Sequence, residues 1–228
     1  MNHGPIALVG SGEYLPVMAQ IETELISGRG NKYIQIPTAA SLEGDKSLNY
    51  WKELGISQAN RIGVQAVPLL ITNKDDANDE ALASEIEGAG LIYFSGGNPH
   101  HLANTLRHTK VWNAIFSAWE NGAALAGCSA GAMAIANHIP EIKTFGKTIT
   151  EGFGLLPNVR VIPHFDRMFM SAFSRFAHQD SVTVLGIDEN TALVGGLSEW
   201  QVKGVGTVTV FKDGQKEIFS SGQTLFLD

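Results

Sequence analysis

Short apolar segments alternate with longer amphipathic segments through the first 130 residues of the chain. Each apolar segment is bounded by Gly, Pro, Ser or Asn, which is typical of buried strands separated by helices. This alternation predicts an α/β fold in which helices cover both faces of a mostly parallel sheet. The predicted strands cover residues 5–9, 33–36, 64–70, 91–94 and 123–126, and the predicted helices cover residues 16–27, 45–54, 76–87 and 99–119.

The pattern changes after residue 131, and the last third of the chain is predicted to be rich in strands. An Asp-Gly pair at residues 213–214 predicts a hairpin turn. Neither a linker nor a repeat interrupts the sequence, so we expect residues 1–228 to form a single domain. Helices are predicted over residues 132–137 and 167–177, and strands over residues 159–162, 182–187, 191–194, 200–203, 207–211 and 217–219.

Composition and charge exclude several classes of function. The formal net charge is −7 and the chain has no block of basic residues, whereas a nucleic-acid binder needs a basic face. The single cysteine, Cys128, excludes an internal disulfide framework and a cysteine-based zinc site. A signal peptide and a membrane-length apolar stretch are both missing from the sequence. We therefore expect a cytoplasmic protein that binds neither membranes nor nucleic acids; a homodimer remains open.

The most informative motif is Gly-Cys-Ser-Ala-Gly at residues 127–131. It joins a small apolar strand to a good helix-forming segment, which is the context of a nucleophile elbow. Glycines two residues before and after Ser129 allow the sharp turn. The serine would lie at a helix N-terminus, where the N–H of Ala130 favours a developing negative charge. The same residues are also compatible with an ordinary glycine-rich turn and an N-capping serine.

A second glycine loop, Ser-Gly-Gly-Asn-Pro, ends the predicted strand at residues 91–94. Loops at the carboxyl ends of strands in an open α/β sheet lie side by side, so this loop and Ser129 are expected to be neighbours. Gly97 could donate a second N–H to an oxyanion, and Asn98 could bind substrate. Asn98 as a helix N-cap with Pro99 at the first helical position explains the same residues, and both interpretations can hold.

His164 is the strongest candidate for a general base among the seven histidines. It directly follows an apolar strand, so a rigid scaffold could direct its imidazole toward Ser129. An orienting carboxylate is expected at the end of the strand over residues 182–187, where Asp188 and Glu189 are adjacent. Neighbouring residues in a strand point in different directions, so only one of these acids can reach His164. The spacing does not decide which one.

Two other hypotheses share the predicted fold. The Gly-Ser-Gly loop at residues 10–12 could hold a phosphate or another small ligand, which would make the chain a binding module. Cys128 at a helix N-terminus could instead be the nucleophile of an amidotransferase-like enzyme. Alanines rather than glycines would then flank the elbow, so serine is favoured.

Taken together, four ordered motifs resemble the S51 family of serine peptidases, which contains dipeptidase E and cyanophycinase. The resemblance implies a class I glutamine amidotransferase-like fold, no metal or organic cofactor, and hydrolysis of a small peptide or isopeptide through an acyl-serine. It also implies a triad of Ser129, His164 and Glu189, with oxyanion donors at Gly97 and Ala130. The motifs are Phe-Ser-Gly-Gly-Asn at 94–98, Gly-Cys-Ser-Ala-Gly-Ala at 127–132, Pro-His-Phe at 163–165 and Gly-Ile-Asp-Glu-Asn-Thr-Ala-Leu at 186–193.

Departures from the family pattern concern the substrate. Pro99 stands where family members often have glutamine, and only Arg167 closely follows the histidine, where cyanophycinases carry several arginines. Arginines bind carboxylates bidentately, so their loss argues against cyanophycin as the substrate. Arg167, Arg160 or Arg175 remains a candidate for recognising an acidic side chain. We therefore expect Asn98, Pro99 and Arg167 to contact a small peptide that could contain aspartate.

Overall fold

An eight-stranded sheet forms the centre of the computed structural model, which describes residues 3–140, 149–167, 182–196 and 198–227. Its strand order is β14-β11-β10-β1-β5-β4-β2-β3. The five strands from β1 to β3 in this order are parallel, and β10, β11 and β14 extend the sheet antiparallel on the side of β1. These strands are β1 (Ile6–Val9), β2 (Lys32–Ile36), β3 (Gln65–Pro68), β4 (Ala89–Phe94), β5 (Ala124–Cys128), β10 (Thr191–Gly196), β11 (Glu199–Gly204) and β14 (Thr224–Phe226).

Helices cover both faces of this sheet, because its central strands are buried at almost every residue and successive side chains point to opposite faces. Ile6 and Leu8 of β1 pack in one hydrophobic core, whereas Ala7 and Val9 pack in a second core on the opposite face. Helices α1 and α2 contribute to the second core, and α4, α5 and α6 contribute to the first. The helices are α1 (Ala19–Ile26), α2 (Asp45–Ile62), α3 (Glu80–Ser84), α4 (Pro99–Leu106), α5 (Lys110–Glu120) and α6 (Ala130–Ile135).

A smaller sheet with the order β13-β12-β9-β8 packs against the first core. Strand β9 continues through residues 188–190 into β10, so this loop crosses from the smaller sheet to the central sheet. Residues 213–214 form the predicted hairpin turn, with positive φ angles of 51° and 76°. The remaining strands are β6 (His138–Pro140), β7 (Ile149–Glu151), β8 (Val159–Ile162), β9 (Thr183–Ile187), β12 (Thr207–Lys212) and β13 (Gln215–Ser220).

The predicted fold class is therefore confirmed, but several helix boundaries differ. The helix predicted over residues 99–119 is two helices, because His108 has a φ of 59° and Thr109 caps α5 by accepting from Trp112 N. In place of the helix predicted over residues 76–87, the structure has the shorter α3. Asp79 is its N-cap, because Asp79 Oδ1 accepts a hydrogen bond from Ala81 N at 2.6 Å. Helix α2 is longer than predicted and ends at Gly63, with a φ of 75°. Residues 168–177 of the predicted helix 167–177 lie outside the described residues.

Among the described residues, none of the helices combines the length and the apolar character needed to cross a membrane.

Glu22 of α1 is a buried carboxyl group in the second core. Only 1% of the residue is exposed, and its Oε2 accepts a hydrogen bond from the hydroxyl of Tyr33 at 3.1 Å. Burial raises the pKa of Glu22 from 4.5 to about 7, because the apolar surroundings disfavour the charged form. Folding therefore becomes less favourable as the group ionises.

We expect Glu22→Gln to stabilise the protein more at pH 8 than at pH 5. The folded pKa is higher than the unfolded one, so the stability contributed by the protonated acid is lost as the pH rises from about 4.5 toward 7. The amide does not ionise, so its free energy of unfolding should exceed that of the wild type by about 2–3 kcal/mol more at pH 8 than at pH 5. Urea unfolding at both pH values measures this difference.

Glu24→Gln, on the same helix, is the matched control. Lys203 lowers the pKa of this exposed acid, so any stability that it contributes is lost only as the pH falls below about 4.5, and Glu24→Gln should have nearly the same effect at pH 8 as at pH 5. An equal effect of Glu22→Gln at both pH values would contradict the assignment of a raised pKa to Glu22.

Candidate active site

Ser129 occupies a sharp turn between β5 and α6. Its backbone has a φ of 49° and a ψ of −107°, an unfavourable conformation for a residue with a Cβ. The flanking glycines are required by close backbone contacts. A Cβ on Gly127 would lie 2.4 Å from the carbonyl carbon of Gly131, and a Cβ on Gly131 would lie 2.3 Å from the carbonyl oxygen of Phe94. Ser129 N donates to the Val9 carbonyl at 2.9 Å, which fixes the turn to β1.

The structure brings His164 and Glu189 to this serine in one hydrogen-bonded chain. His164 Nε2 lies 3.1 Å from Ser129 Oγ, and His164 Nδ1 lies 2.9 Å from Glu189 Oε1. A carboxylate can only accept, so Nδ1 carries the proton in that contact and Nε2 is left to accept from the serine hydroxyl. This arrangement can remove the hydroxyl proton as the oxygen attacks an electrophile.

The two adjacent acids at the end of β9 have different partners. Glu189 meets His164, whereas Asp188 Oδ2 accepts from Thr207 N at 2.8 Å and from Thr207 Oγ1 at 2.7 Å. The alternation of side chains thus separates the acids, and Asp188 ties the loop to β12.

Glu189 is held by two further residues in addition to His164. Its Oε2 pairs with Arg167 Nη2 at 2.7 Å, and its backbone N–H donates to Asp166 Oδ1 at 2.9 Å. Sequence reasoning placed Arg167 at the substrate and missed Asp166. The guanidinium of Arg167 contacts the triad-like chain, and 73% of its side chain remains exposed.

The loop after β4 lies beside the serine. Gly97 has a φ of 134°, and a Cβ there would lie 2.4 Å from the Ala39 carbonyl oxygen, so glycine is required. Asn98 Oδ1 caps α4 by accepting from His101 N at 2.9 Å, and Pro99 is the first residue of that helix. Asn98 is therefore the N-cap of α4 and Pro99 its first residue, as one of the two interpretations of the sequence predicted.

A buried acid at this loop was missed by sequence reasoning. Glu13, in the loop after β1, is 6% exposed, and its Oε1 accepts from Gly96 N at 2.7 Å. A charged residue directly after a Gly-x-Gly turn at a strand end was the available signal, but sequence alone does not show that β4 supplies the partner.

Cys128 lacks the surroundings of a reactive thiol. It is fully buried in the second core. Burial raises the pKa of the Cys128 thiol well above its usual value, and the negative charge of Glu13 acts in the same direction. A thiolate is therefore disfavoured at this position.

Protein atoms occupy the space beside both glycines of the Gly-Ser-Gly loop at residues 10–12. A Cβ on Gly10 would lie 2.1 Å from the carbonyl oxygen of Asp188, and one on Gly12 would lie 2.3 Å from Asn190 Oδ1. Gly10 N also donates to the Thr191 carbonyl at 2.9 Å. This packing shapes the loop that carries Glu189 and argues against a phosphate cradle.

Within the described ranges, histidine, cysteine and acidic side chains form no cluster suited to a metal ion.

We expect Ser129→Gly to be more stable than Ser129→Ala by about 1 kcal/mol in free energy of unfolding. Glycine adopts a positive φ without a Cβ clash, whereas alanine keeps the strain, and the gain exceeds the entropy that glycine loses on folding. Urea unfolding of both variants measures the difference. At Ser117, exposed within α5, the order should reverse, because glycine is the poorer helix former. Equal stability of the two Ser129 variants would contradict the strain.

This chain is similar to known proteins in both sequence and fold. The chain matches the model of peptidase family S51 over residues 6–199. It is similar to a crystal structure of a peptidase from an acI-B1 actinobacterium, with a TM-score of 0.91 and 40% identity over 99% of this chain and 97% of that chain.

A peptidase E-type protein from Listeria monocytogenes EGD-e shares the fold, with a TM-score of 0.68 and 20% identity over 89% of this chain and 99% of that chain. A search of the curated proteins gives no significant match. The family match spans most of the chain, and the predicted resemblance is confirmed: this protein belongs to peptidase family S51.

Proposed function

We propose that this chain hydrolyses small peptides or isopeptides through an acyl-serine intermediate formed on Ser129. The observation that carries the proposal is the continuous contact from Ser129 Oγ through both nitrogens of His164 to Glu189. Membership of a peptidase family supports the reaction class. His164 acts as the general base, and Glu189 fixes its tautomer and stabilises the imidazolium that forms.

In the first half of the reaction, His164 Nε2 takes the Ser129 proton as Oγ attacks the scissile carbonyl carbon. The resulting tetrahedral oxyanion accepts hydrogen bonds from the N–H groups of Gly97 and Ala130. His164 then gives its proton to the leaving amine nitrogen, the C–N bond breaks, and the acyl-serine remains. In the second half, water replaces the amine: His164 removes a proton from it, and the acid product leaves as Oγ regains its proton.

The backbone around the two proposed donors supports this assignment. Ala130 N–H is at the first position of α6, where no intrahelical acceptor exists. Gly97 is exposed, and its N–H has no acceptor among the described residues. Both groups are therefore free to face a substrate carbonyl.

For the substrate, we propose a small peptide that can carry an acidic group, contacted by Asn98, Pro99 and Arg167. Arg167 uses one nitrogen for Glu189 and retains further N–H donors on a largely exposed side chain. Its planar fork suits a carboxylate such as that of aspartate. Of the other two candidate arginines, Arg160 is 2% exposed within β8 and Arg175 lies outside the described residues.

We expect Ser129→Ala to lose peptide hydrolysis and labelling by a fluorophosphonate probe, because the proposed mechanism forms the acyl or phosphonyl bond on the Ser129 hydroxyl. A panel of dipeptides that includes N-terminal Asp and β-aspartyl peptides measures hydrolysis, and mass spectrometry locates the label. Cys128→Ala is the matched control at the neighbouring residue and should keep both activities. Retained hydrolysis in Ser129→Ala, with loss in Cys128→Ala, would refute the serine mechanism.

We expect Glu189→Gln to lower kcat by about 10²–10⁴-fold, because an amide favours the wrong imidazole tautomer and does not stabilise the imidazolium. Asp188→Asn should stay within a few-fold of the wild type, since Asp188 contacts Thr207 rather than His164. Steady-state kinetics on the best dipeptide of the panel measures both. The opposite ranking of these neighbours would show that the orienting acid is misassigned.

A further inference from the structure

Glu13 connects two loops of the candidate site that are not neighbours in the sheet. It follows β1, whereas its hydrogen-bond partner Gly96 follows β4, and β5 lies between these strands. The carboxylate therefore spans the end of the strand that carries Ser129. Only 6% of Glu13 is exposed, so this acid is held inside the protein.

The carboxylate also lies close to the nucleophile. A Cβ placed on Gly96 would be 3.0 Å from Glu13 Oε1 and 3.6 Å from Ser129 Cβ. Cys128, the residue before the nucleophile, feels the same negative charge. Glu13 thus adjoins both the residue before Gly97 and the residue before Ser129.

The contact determines how the next peptide group is oriented. Gly96 N–H is bound by Glu13 at 2.7 Å, and Asn98 N–H is bound by the Ala39 carbonyl at 2.8 Å. Between these two fixed amides lies the N–H of Gly97. Gly97 has a φ of 134° and carries no side chain that would restrict its backbone. The orientation of its N–H is therefore set by the neighbouring contacts.

We propose that Glu13 is a positioning residue that fixes the Gly97 N–H for the oxyanion; the inference rests on the proposed function. Glu13 does not touch the reacting atoms and acts through Gly96. An oxyanion donor is effective only if its direction is set before the charge develops, since reorientation during the reaction would cancel the gain. A carboxylate suits this task because it only accepts and binds an N–H more strongly than a neutral acceptor does.

The test compares Glu13→Ala, Glu13→Asp and Glu13→Gln with the wild type. Two quantities are measured: the second-order rate of Ser129 labelling by a fluorophosphonate, and the hydrogen-exchange rate of the Gly96 amide by NMR. Dipeptide kinetics separates kcat from KM. Glu22→Gln removes another buried carboxyl group, one that the proposed mechanism does not use. It is the control for general effects of altering the core.

We expect Glu13→Ala to slow labelling and lower kcat by about 10–100-fold with little change in KM, because one donor loses its orientation. Exchange of the Gly96 amide should become at least about 10-fold faster, because the N–H loses its buried acceptor. Glu13→Gln retains an acceptor oxygen but binds the N–H less strongly than a carboxylate, so it should lie between the wild type and Glu13→Ala in all measurements. Glu22→Gln should match the wild type in labelling rate, kcat and KM.

Glu13→Asp keeps the charge but is one methylene too short to reach Gly96, so it should lose rate and amide protection even if Glu13→Ala does not fold. Unchanged Gly96 exchange in the shortened variants overturns the inference, and so does faster exchange with undiminished labelling. In both cases a reactive wild type leaves the proposed function standing. A wild type that does not react at Ser129 instead refutes the proposed function, and this inference with it.

Discussion

The turn at Ser129 is the constraint on which the rest of the site depends. Gly127, Gly131 and Phe94 approach so closely that neither glycine can carry a Cβ, and the chain reverses direction at the serine with a positive φ. Backbone strain of this kind costs on the order of 1–3 kcal/mol. It persists because β5 and α6 are buried on both sides of the turn. The Ser129 side chain and the Ala130 N–H therefore belong to one rigid unit.

The remaining groups reach this unit from two different sheets. Ser129 and Gly97 follow strands of the central sheet, whereas His164 and Glu189 follow β8 and β9 of the smaller one. One hydrophobic core joins the sheets, because Leu185 and Ile187 pack with Leu8, Phe94 and Leu125. A single hydrogen bond contributes only about 1 kcal/mol net. The distance between serine and histidine is therefore set mainly by the shared core, and the hydrogen bonds refine it.

Sequence reasoning succeeded where the deciding signal is local. The strand–turn–helix at Ser129 and the alternation of strands and helices depend on neighbouring residues, and both are present in the structure. It failed where a side chain competes with the helical pattern, as at Thr109, which caps α5 and divides a segment of continuous amphipathic character. Spacing alone also left Asp188 and Glu189 undecided, although the family resemblance implied Glu189. The choice depends on β12, because Thr207 of that strand donates hydrogen bonds to Asp188. The Arg167 contact with Glu189 and the Glu13 contact with Gly96 are likewise long-range.

Glu22 and Glu13 are both buried acids, but their surroundings differ. Glu22 is buried against Tyr33, and its raised pKa means that its ionised form opposes folding. Glu13 is also buried, but it accepts a backbone N–H that would otherwise lie inside the protein without a partner. A neutral acceptor could satisfy that N–H with less desolvation of charge. Stability alone therefore does not explain a carboxylate at this position, whereas a requirement for a strongly held loop beside a developing negative charge does.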